Sequence, residues 1–385
     1  MSKFKVQFVN YPLQYSQHRA EYTTAINDCL NTGQLIMRRQ MEIFEENLAK
    51  FVGVKNAIAV ASGTDALLIS LLSAGIGQDK GDEVIVPSHT FMASISTIVQ
   101  AGATPILIDV KDDYCMDEEL IEQAITKKTK AIVPVQFNGR VCNMDKIMAI
   151  AKKHKLIVIE DSCQALGATF NGKKAGSFGT AGCFSFYPSK ILGGYGDAGA
   201  ITTNDDKIAE LARLYRNHGR SPDDKDKIVL FGFTSRMDNL QASILNVKMK
   251  YLDGWIKRRK EIADIYYRLL LGNSNIILPP KSDDIDEYTS GDIHNDVYQN
   301  FVIRVKDGKR DEMTKYLRNE GVEILVSCPI PNHKQKIAGF SWKKDFHLPM
   351  TERFASEVLS LPMYPELTDR QVSYVCRTIN KFQGF

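Results

Sequence analysis

Between residues 57 and 204, short apolar runs alternate with longer amphipathic stretches. The runs read AIAVAS (57–62), EVIVPS (83–88), PILIDV (105–110), AIVPVQ (131–136), LIVIED (156–161), GCFSFY (182–187) and GAITTN (199–204). Each holds apolar, often β-branched residues and stops at a polar one, the pattern of a strand buried on both faces. Several intervening stretches carry a helical period. In QMEIFEENLAKFVG, Met41, Phe44, Leu48 and Phe51 share one stripe, and in MDKIMAIAKKHK, Ile147, Ile150 and Ala151 do the same. Strands alternating with helices predict an α/β fold around a mostly parallel seven-stranded sheet. The last two runs lie too close together for a helical crossover, so one antiparallel strand is expected in that sheet.

After about residue 205 the pattern changes. The stretch SRMDNLQASILNVKMKYLDGWIKRRKEIADIYYRLL has no internal proline and carries a near-continuous apolar stripe. It predicts two helices, or one bent near Gly254. Residues 274–298 are rich in turn formers and acids and read as an exposed loop. NFVIRV, a helix near 309–320, VEILV and a last helix near 368–382 predict a smaller C-terminal α+β domain. The expected division is a large domain over 1–250, with an N-terminal arm, and a small one over 251–385.

Composition changes this picture little. The apolar fraction of 44% and charged fraction of 25% are those of an ordinary globular chain. A formal charge of +3, with no long block of one sign, offers no electrostatic case for nucleic acid or a membrane surface as main partner. A small phosphate-bearing ligand needs only a local positive patch. MSKFKVQFVNYPLQ at the N-terminus lacks the apolar core and cleavage site of a signal peptide, and no apolar run is long enough to span a bilayer. The seven cysteines are scattered, without a CxxC pair, and there is no HExxH. Reduced thiols in the cytoplasm are expected, with no metal site.

Ligands in open parallel sheets bind beyond the carboxyl ends of the strands. The first run ends in Ser62-Gly63-Thr64-Asp65, directly before the helical TDALLISLLSAG. Such a helix start can hold a phosphate, although taken alone it favours an ordinary N-cap, which is the commoner use. The second ends in Pro87-Ser88-His89-Thr90-Phe91, the fifth in Glu160-Asp161-Ser162-Cys163-Gln164. The sixth leads through Ser185-Phe186-Tyr187-Pro188-Ser189 to Lys190 and then the glycine-rich GGYGDAGA. A lysine after a strand is ordinarily just solvated, and an aromatic there is ordinarily core. A lysine facing a carboxylate and a phosphate cradle suits Schiff-base chemistry. Pyridoxal phosphate (PLP) needs an amine for its aldehyde, an acid for its ring nitrogen, donors for its phosphate and a flat face for its ring. The strand ends supply all four.

The chain resembles the DegT/DnrJ/StrS family of PLP-dependent nucleotide-sugar aminotransferases, a branch of the fold-type-I enzymes. The likeness runs through ASGTDAL (61–67), PSHTFMAS (87–94), IEDSCQALGA (159–168), CFSFYPSKILGGYGDAGA (183–200), RNHGR (216–220), SRMDNLQASIL (235–245), PIPNHKQ (329–335) and LSLPMYPEL (359–367). It implies PLP held on Lys190 as an internal aldimine, with Lys190 moving the proton. It further implies Asp161 on the ring nitrogen, Gln164 on the ring hydroxyl, Phe91 stacked on the ring, and Gly63, Thr64 and Ser185 on the phosphate. The implied assembly is a homodimer with shared sites, in which Arg236 reaches the neighbour's substrate. The implied reaction carries an amino group from an amino acid, by family habit glutamate, to a keto group of a nucleotide-linked sugar for surface polysaccharide.

Three departures stand out. Thr234 replaces an Asn that donates to the partner's cofactor phosphate, with a shorter reach. Ser327-Cys328 stands where His-Tyr is common, and Gln136 where His is frequent. These last two sites are expected to border the sugar pocket. Arg38 and Arg39 read as a solvated pair, His218 and His333 as structural, and Cys163 and Cys183 as small apolar fillers. Two alternatives remain. One is a dehydratase of the same family, which typically carries His in place of the lysine. The other is a non-catalytic binding or regulatory protein on the same fold.

Overall fold

The computed structural model describes residues 4–224, 226–282, 293–342 and 345–384. All seven apolar runs are strands of one sheet. In chain order they are β1 (Asn56–Val60), β2 (Glu83–Pro87), β3 (Thr104–Ile108), β4 (Thr129–Ile132) and β5 (Ile157–Asp161). After the short β6 (Thr169–Phe170) and β7 (Lys173–Lys174) come β8 (Ala181–Ser185) and β9 (Gly199–Thr203). The order across the sheet is β1-β9-β8-β5-β4-β2-β3. β9 is antiparallel to both neighbours and every other pair is parallel, as the short β8–β9 connection predicts.

The helices α1 (Tyr11–Gln17), α2 (Arg19–Thr32) and α3 (Arg39–Val52) precede the sheet. Within it run α4 (Gly63–Ser73), α5 (Ala93–Gln100), α6 (Ile121–Ala124), α7 (Met144–His154) and α8 (Asp206–Tyr215). Each strand feeds alternate residues into two cores. Ala57, Ala59, Ile85 and Ile132 pack with Phe44 and Leu48 of α3 and Ile147 of α7. Ile58, Val60, Val84, Val86 and Ile159 pack with Leu67 of α4, Ile95 of α5 and Ile208 of α8. Burial on both faces is why the strand runs are continuously apolar.

The long helical stretch is two helices, α9 (Asn239–Met249) and α10 (Leu252–Leu270). The break falls at Lys250 and Tyr251, and Gly254 lies inside α10. α10 serves two cores. Trp255 and Ile256 join that of the sheet, while Ile262, Ala263 and Tyr266 join a C-terminal one. There they meet β10 (Ile276–Ile277), β12 (Phe301–Val305) and α11 (Arg310–Asn319), preceded in the chain by β11 (His294–Asn295). α12 (Pro349–Glu357), β13 (Val358–Leu361) and α13 (Asp369–Asn380) complete this lobe.

Two expectations fail here. VEILV is not a strand, and makes only single bridges from Val322 to Val6 and from Leu325 to Ser360. The end of 274–298 is not exposed: β11 pairs with β6, and Val297 has no exposed surface. The acidic composition misleads because Asp296 is buried against Arg140, at 2.8 Å. Residues 283–292 of that stretch lie outside the described ones. Among the described residues, no helix is long and apolar enough to cross a membrane. Nor do any three or more His, Cys, Asp or Glu side chains group to hold a metal.

Candidate active site

The last residue of β5 is Asp161, 5% exposed. Ser94 Oγ, from α5, donates to its Oδ2 at 2.6 Å, and the Cys163 N–H donates to Oδ1 at 3.2 Å. The Thr90 hydroxyl lies 2.7 Å from Ser94 Oγ, extending the chain of hydroxyls. Both carboxylate oxygens are thus held, and among the described residues no cation forms an ion pair with them. A buried carboxylate normally requires a cationic partner.

Lys190 follows Pro188 in the turn after β8, half-buried, its N–H bonded to the Tyr187 carbonyl at 2.8 Å. Cys163, bonded to Asp161 through its N–H, feels the charges of both groups. Burial and the Asp161 charge push this thiol well up, and Lys190 opposes them. Burial raises Cys183 as well, so both cysteines are the inert fillers expected.

At the start of α4, Ser62 caps the helix, accepting the Asp65 N–H at 3.0 Å. The Gly63 and Thr64 N–H groups take no acceptor among the described residues. The cap and the anion-binding readings therefore hold together: the hydroxyl of Ser62 serves one, the next two amides are free for the other. A Cβ on Gly63 would stand 2.7 Å from Ser185 Cβ and 2.9 Å from Cys163 Sγ, so only glycine lets the helix start close onto β8. Ser185 Oγ accepts the Tyr187 N–H at 3.3 Å, which leaves its own hydrogen to donate. Gln164 Oε1 accepts the Asn138 N–H at 2.9 Å, which leaves Nε2 to donate. Phe91, beyond β2, is 68% exposed, a large aromatic face mostly open to solvent.

The structure therefore gathers Lys190, Asp161, Gly63, Thr64, Gln164 and Ser185 at the carboxyl ends of β1, β5 and β8, with Phe91 at the end of β2. It does not bring Thr234 or Arg236 to Lys190. Ser235, between them, is buried and bonds Asp65 Oδ2 at 2.8 Å. Thr234 instead pairs with His218 Nε2 at 2.9 Å, and Arg236 Nη1 donates to Asn217 Oδ1 at 3.3 Å. They stand at the base of an excursion, 217–234, whose Phe231 is 98% exposed.

Gln136 is misplaced by the sequence reading. It lies on the other side of β5, fully buried, donating to Glu160 Oε2 at 3.1 Å and accepting the Cys142 N–H at 2.7 Å. Glu160 also accepts from the amides of Gly176, Phe178 and Gly179, so both side chains hold loops together. Cys328 does lie near the site: its Sγ bonds the Thr90 carbonyl at 3.4 Å, and burial pushes the thiol up to about 11. His333 is structural, set between Ser88 at 2.9 Å and Glu352 at 3.2 Å. Arg39 pairs with Glu42 and Glu46 on the surface. Sequence reasoning missed Ser94 and Asn138. The four-residue spacing of Thr90 and Ser94 was a usable sign for the first; nothing local marked the second.

The DegT/DnrJ/EryC1/StrS aminotransferase family matches residues 16–380. A dTDP-3-amino-3,6-dideoxy-alpha-D-galactopyranose transaminase of Aneurinibacillus thermoaerophilus is 42% identical over 367 residues, 95% of this chain and 96% of its own. A protein of Geobacillus stearothermophilus described as a pleiotropic regulatory protein is 39% identical over 371 residues, 96% of each. Among solved structures, S. venezuelae DesV in complex with a ketimine intermediate is similar with a TM-score of 0.91 and 36% identity, over 98% of each chain.

Proposed function

This chain belongs to the DegT/DnrJ/EryC1/StrS aminotransferase family, and we propose that it moves an amino group from an amino acid, glutamate by family habit, to a keto group of a nucleotide-linked sugar. The observation that carries this reading is the doubly held Asp161, with no cation paired to it among the described residues, at the end of β5 beside the parallel β8 that leads to Lys190. It suits the protonated ring nitrogen of PLP. The free Gly63 and Thr64 amides and the Ser185 hydroxyl suit the phosphate.

When bound, PLP supplies an electrophilic carbon for amines and a ring that takes up the electron pair freed when a neighbouring C–H bond breaks. Lys190 provides the amine that holds the cofactor and then carries the proton at the reacting carbon. Asp161 keeps a proton on the ring nitrogen, and its two anchors prevent it from swinging away. Gln164 would donate from Nε2 to the ring hydroxyl, and Phe91 would cover one face of the ring. Thr234 and Arg236 serve the site of a second copy, where the Arg236 fork suits a diphosphate or a donor carboxylate. The exposed Phe231 and Phe233 on the same excursion support such a homodimer.

A panel of nucleotide keto-sugars with glutamate, followed by 2-oxoglutarate release, tests the reading. Turnover with at least one sugar, and its loss together with covalent PLP in Lys190→Ala, is expected. A chain that neither binds PLP nor turns over any of them would instead favour a regulatory role.

A further inference from the structure

The turn that carries Lys190 is gripped from the C-terminal lobe. Gln299 is 6% exposed and lies just before β12. Its Nε2 donates to the Ser189 carbonyl at 2.9 Å, and its Oε1 accepts the Ile191 N–H at 2.9 Å. These two groups flank Lys190. One is an obligate acceptor and the other an obligate donor, so the orientation of the amide is determined. The same turn is held further on. Lys248, without exposed surface, donates from Nζ to the Gly193 carbonyl at 2.5 Å and to Gln14 Oε1 at 2.9 Å.

Gln299 itself has little freedom. The carbonyls of Tyr298 and Gln299 accept from Arg259 Nη1 at 3.0 and 3.4 Å. Tyr298 adopts a left-handed φ of 49°, a conformation that persists only where surroundings enforce it. A Cβ on Gly139 would stand 2.7 Å from the Gln299 nitrogen, so two backbones meet there without a side chain between them. Asn300 Nδ2 donates to Asn138 Oδ1 at 3.2 Å, and the Asn138 N–H holds Gln164. Residues 297–300 therefore touch both the Lys190 turn and the support of Gln164.

We propose that Gln299 is a positioning residue for Lys190, fixing the peptide groups on either side of it so that the amine keeps one approach to the cofactor. The inference rests on the assignment of Lys190 above. Removing the amide leaves a buried carbonyl and a buried N–H unpaired, which the turn can satisfy only by moving. A displacement of about 1 Å at a reacting group can cost about a hundredfold in rate.

The test uses full-length chain stripped of cofactor and mixed with PLP, with absorbance reporting covalent capture. Gln299→Ala should slow capture by about tenfold or more and lower kcat with little change in KM. Gln299→Glu keeps the shape and the acceptor for Ile191, loses the donor for Ser189, and places a negative charge beside Lys190. The pH midpoint of the bound cofactor's absorbance should therefore rise, since an anion favours the protonated nitrogen. A contact that only docks the lobe would leave capture unchanged. Capture by Gln299→Ala within about twofold of wild type, at equal folded fraction, would overturn the proposal. If that variant does not fold, capture by Gln299→Glu within about twofold of wild type overturns it. Lys190→Ala run alongside separates the two readings: covalent capture by that variant removes the Lys190 assignment itself.

Discussion

Glu160 and Asp161 are adjacent carboxylates that the pleat of β5 sends to opposite sides. Glu160 is spent on three backbone amides and Gln136, whereas Asp161, held by Ser94 and the Cys163 amide, ends the strand at the carboxyl edge of the sheet. His89 shows what burial alone does. It packs against Phe137 and Phe354, each 5.3 Å away, and burial lowers it to about 4 from 6.5, with Asp109 opposing. Its folded-state value lies below the unfolded one, so the neutral ring is favoured. The stability it contributes is whole above pH 6.5 and is lost as pH falls from there through 4, on the order of 3 kcal/mol in full. His89→Phe should flatten the fall of Tm between pH 6.5 and 4 relative to wild type. Parallel Tm curves in that window would place the acid sensitivity elsewhere.

The start of α4 shows why an element's ends matter more to the site than its body. Ser62 satisfies the Asp65 amide, and those of Gly63 and Thr64 remain for a ligand because none of the described residues accepts from them. Closeness to β8 depends on Gly63, whose missing side chain lets Ser185 and Cys163 approach. Gly63→Ala forces β8 or the helix start to shift, so PLP affinity should fall by about tenfold or more, read as the absorbance titration of apo chain. Wild-type affinity in that variant would show that the phosphate is held elsewhere. The 234–236 stretch carries the opposite lesson. Its middle residue is tied to Asp65 in its own chain, which turns Thr234 and Arg236 away from it.

That geometry makes a claim about the assembled protein. Arg236 has an amide oxygen and, among the described residues, no carboxylate for partner, and the excursion above it exposes Ile228, Val229, Phe231 and Phe233. A cluster of apolar side chains beside an unneutralised guanidinium suits a second copy of the chain. Mixing Lys190→Ala with Arg236→Ala chains, each inactive alone, should restore part of the activity, because one of the two sites in a mixed dimer is intact. A mixed dimer with no recovered turnover, or a fully active monomer, would show that the sites are not shared.

The seven strands, the antiparallel β9 and the residues ending β1, β2, β5 and β8 were legible in the sequence, because apolar period and a polar stop are local properties. So was the gathering of Lys190, Asp161 and Gly63, since parallel strands bring their carboxyl ends to one edge. Which way Gln136 faces was not. It depends on the pairing of its backbone with Asp161, at 2.9 Å, across a neighbouring strand. The acids near 296 looked solvated because charge in a sequence carries no sign of a buried partner such as Arg140. Gln299 had no local mark either. An amide grips the Lys190 turn only once the C-terminal lobe has folded back over the sheet, and hydrogen bonds between distant segments leave no period to read.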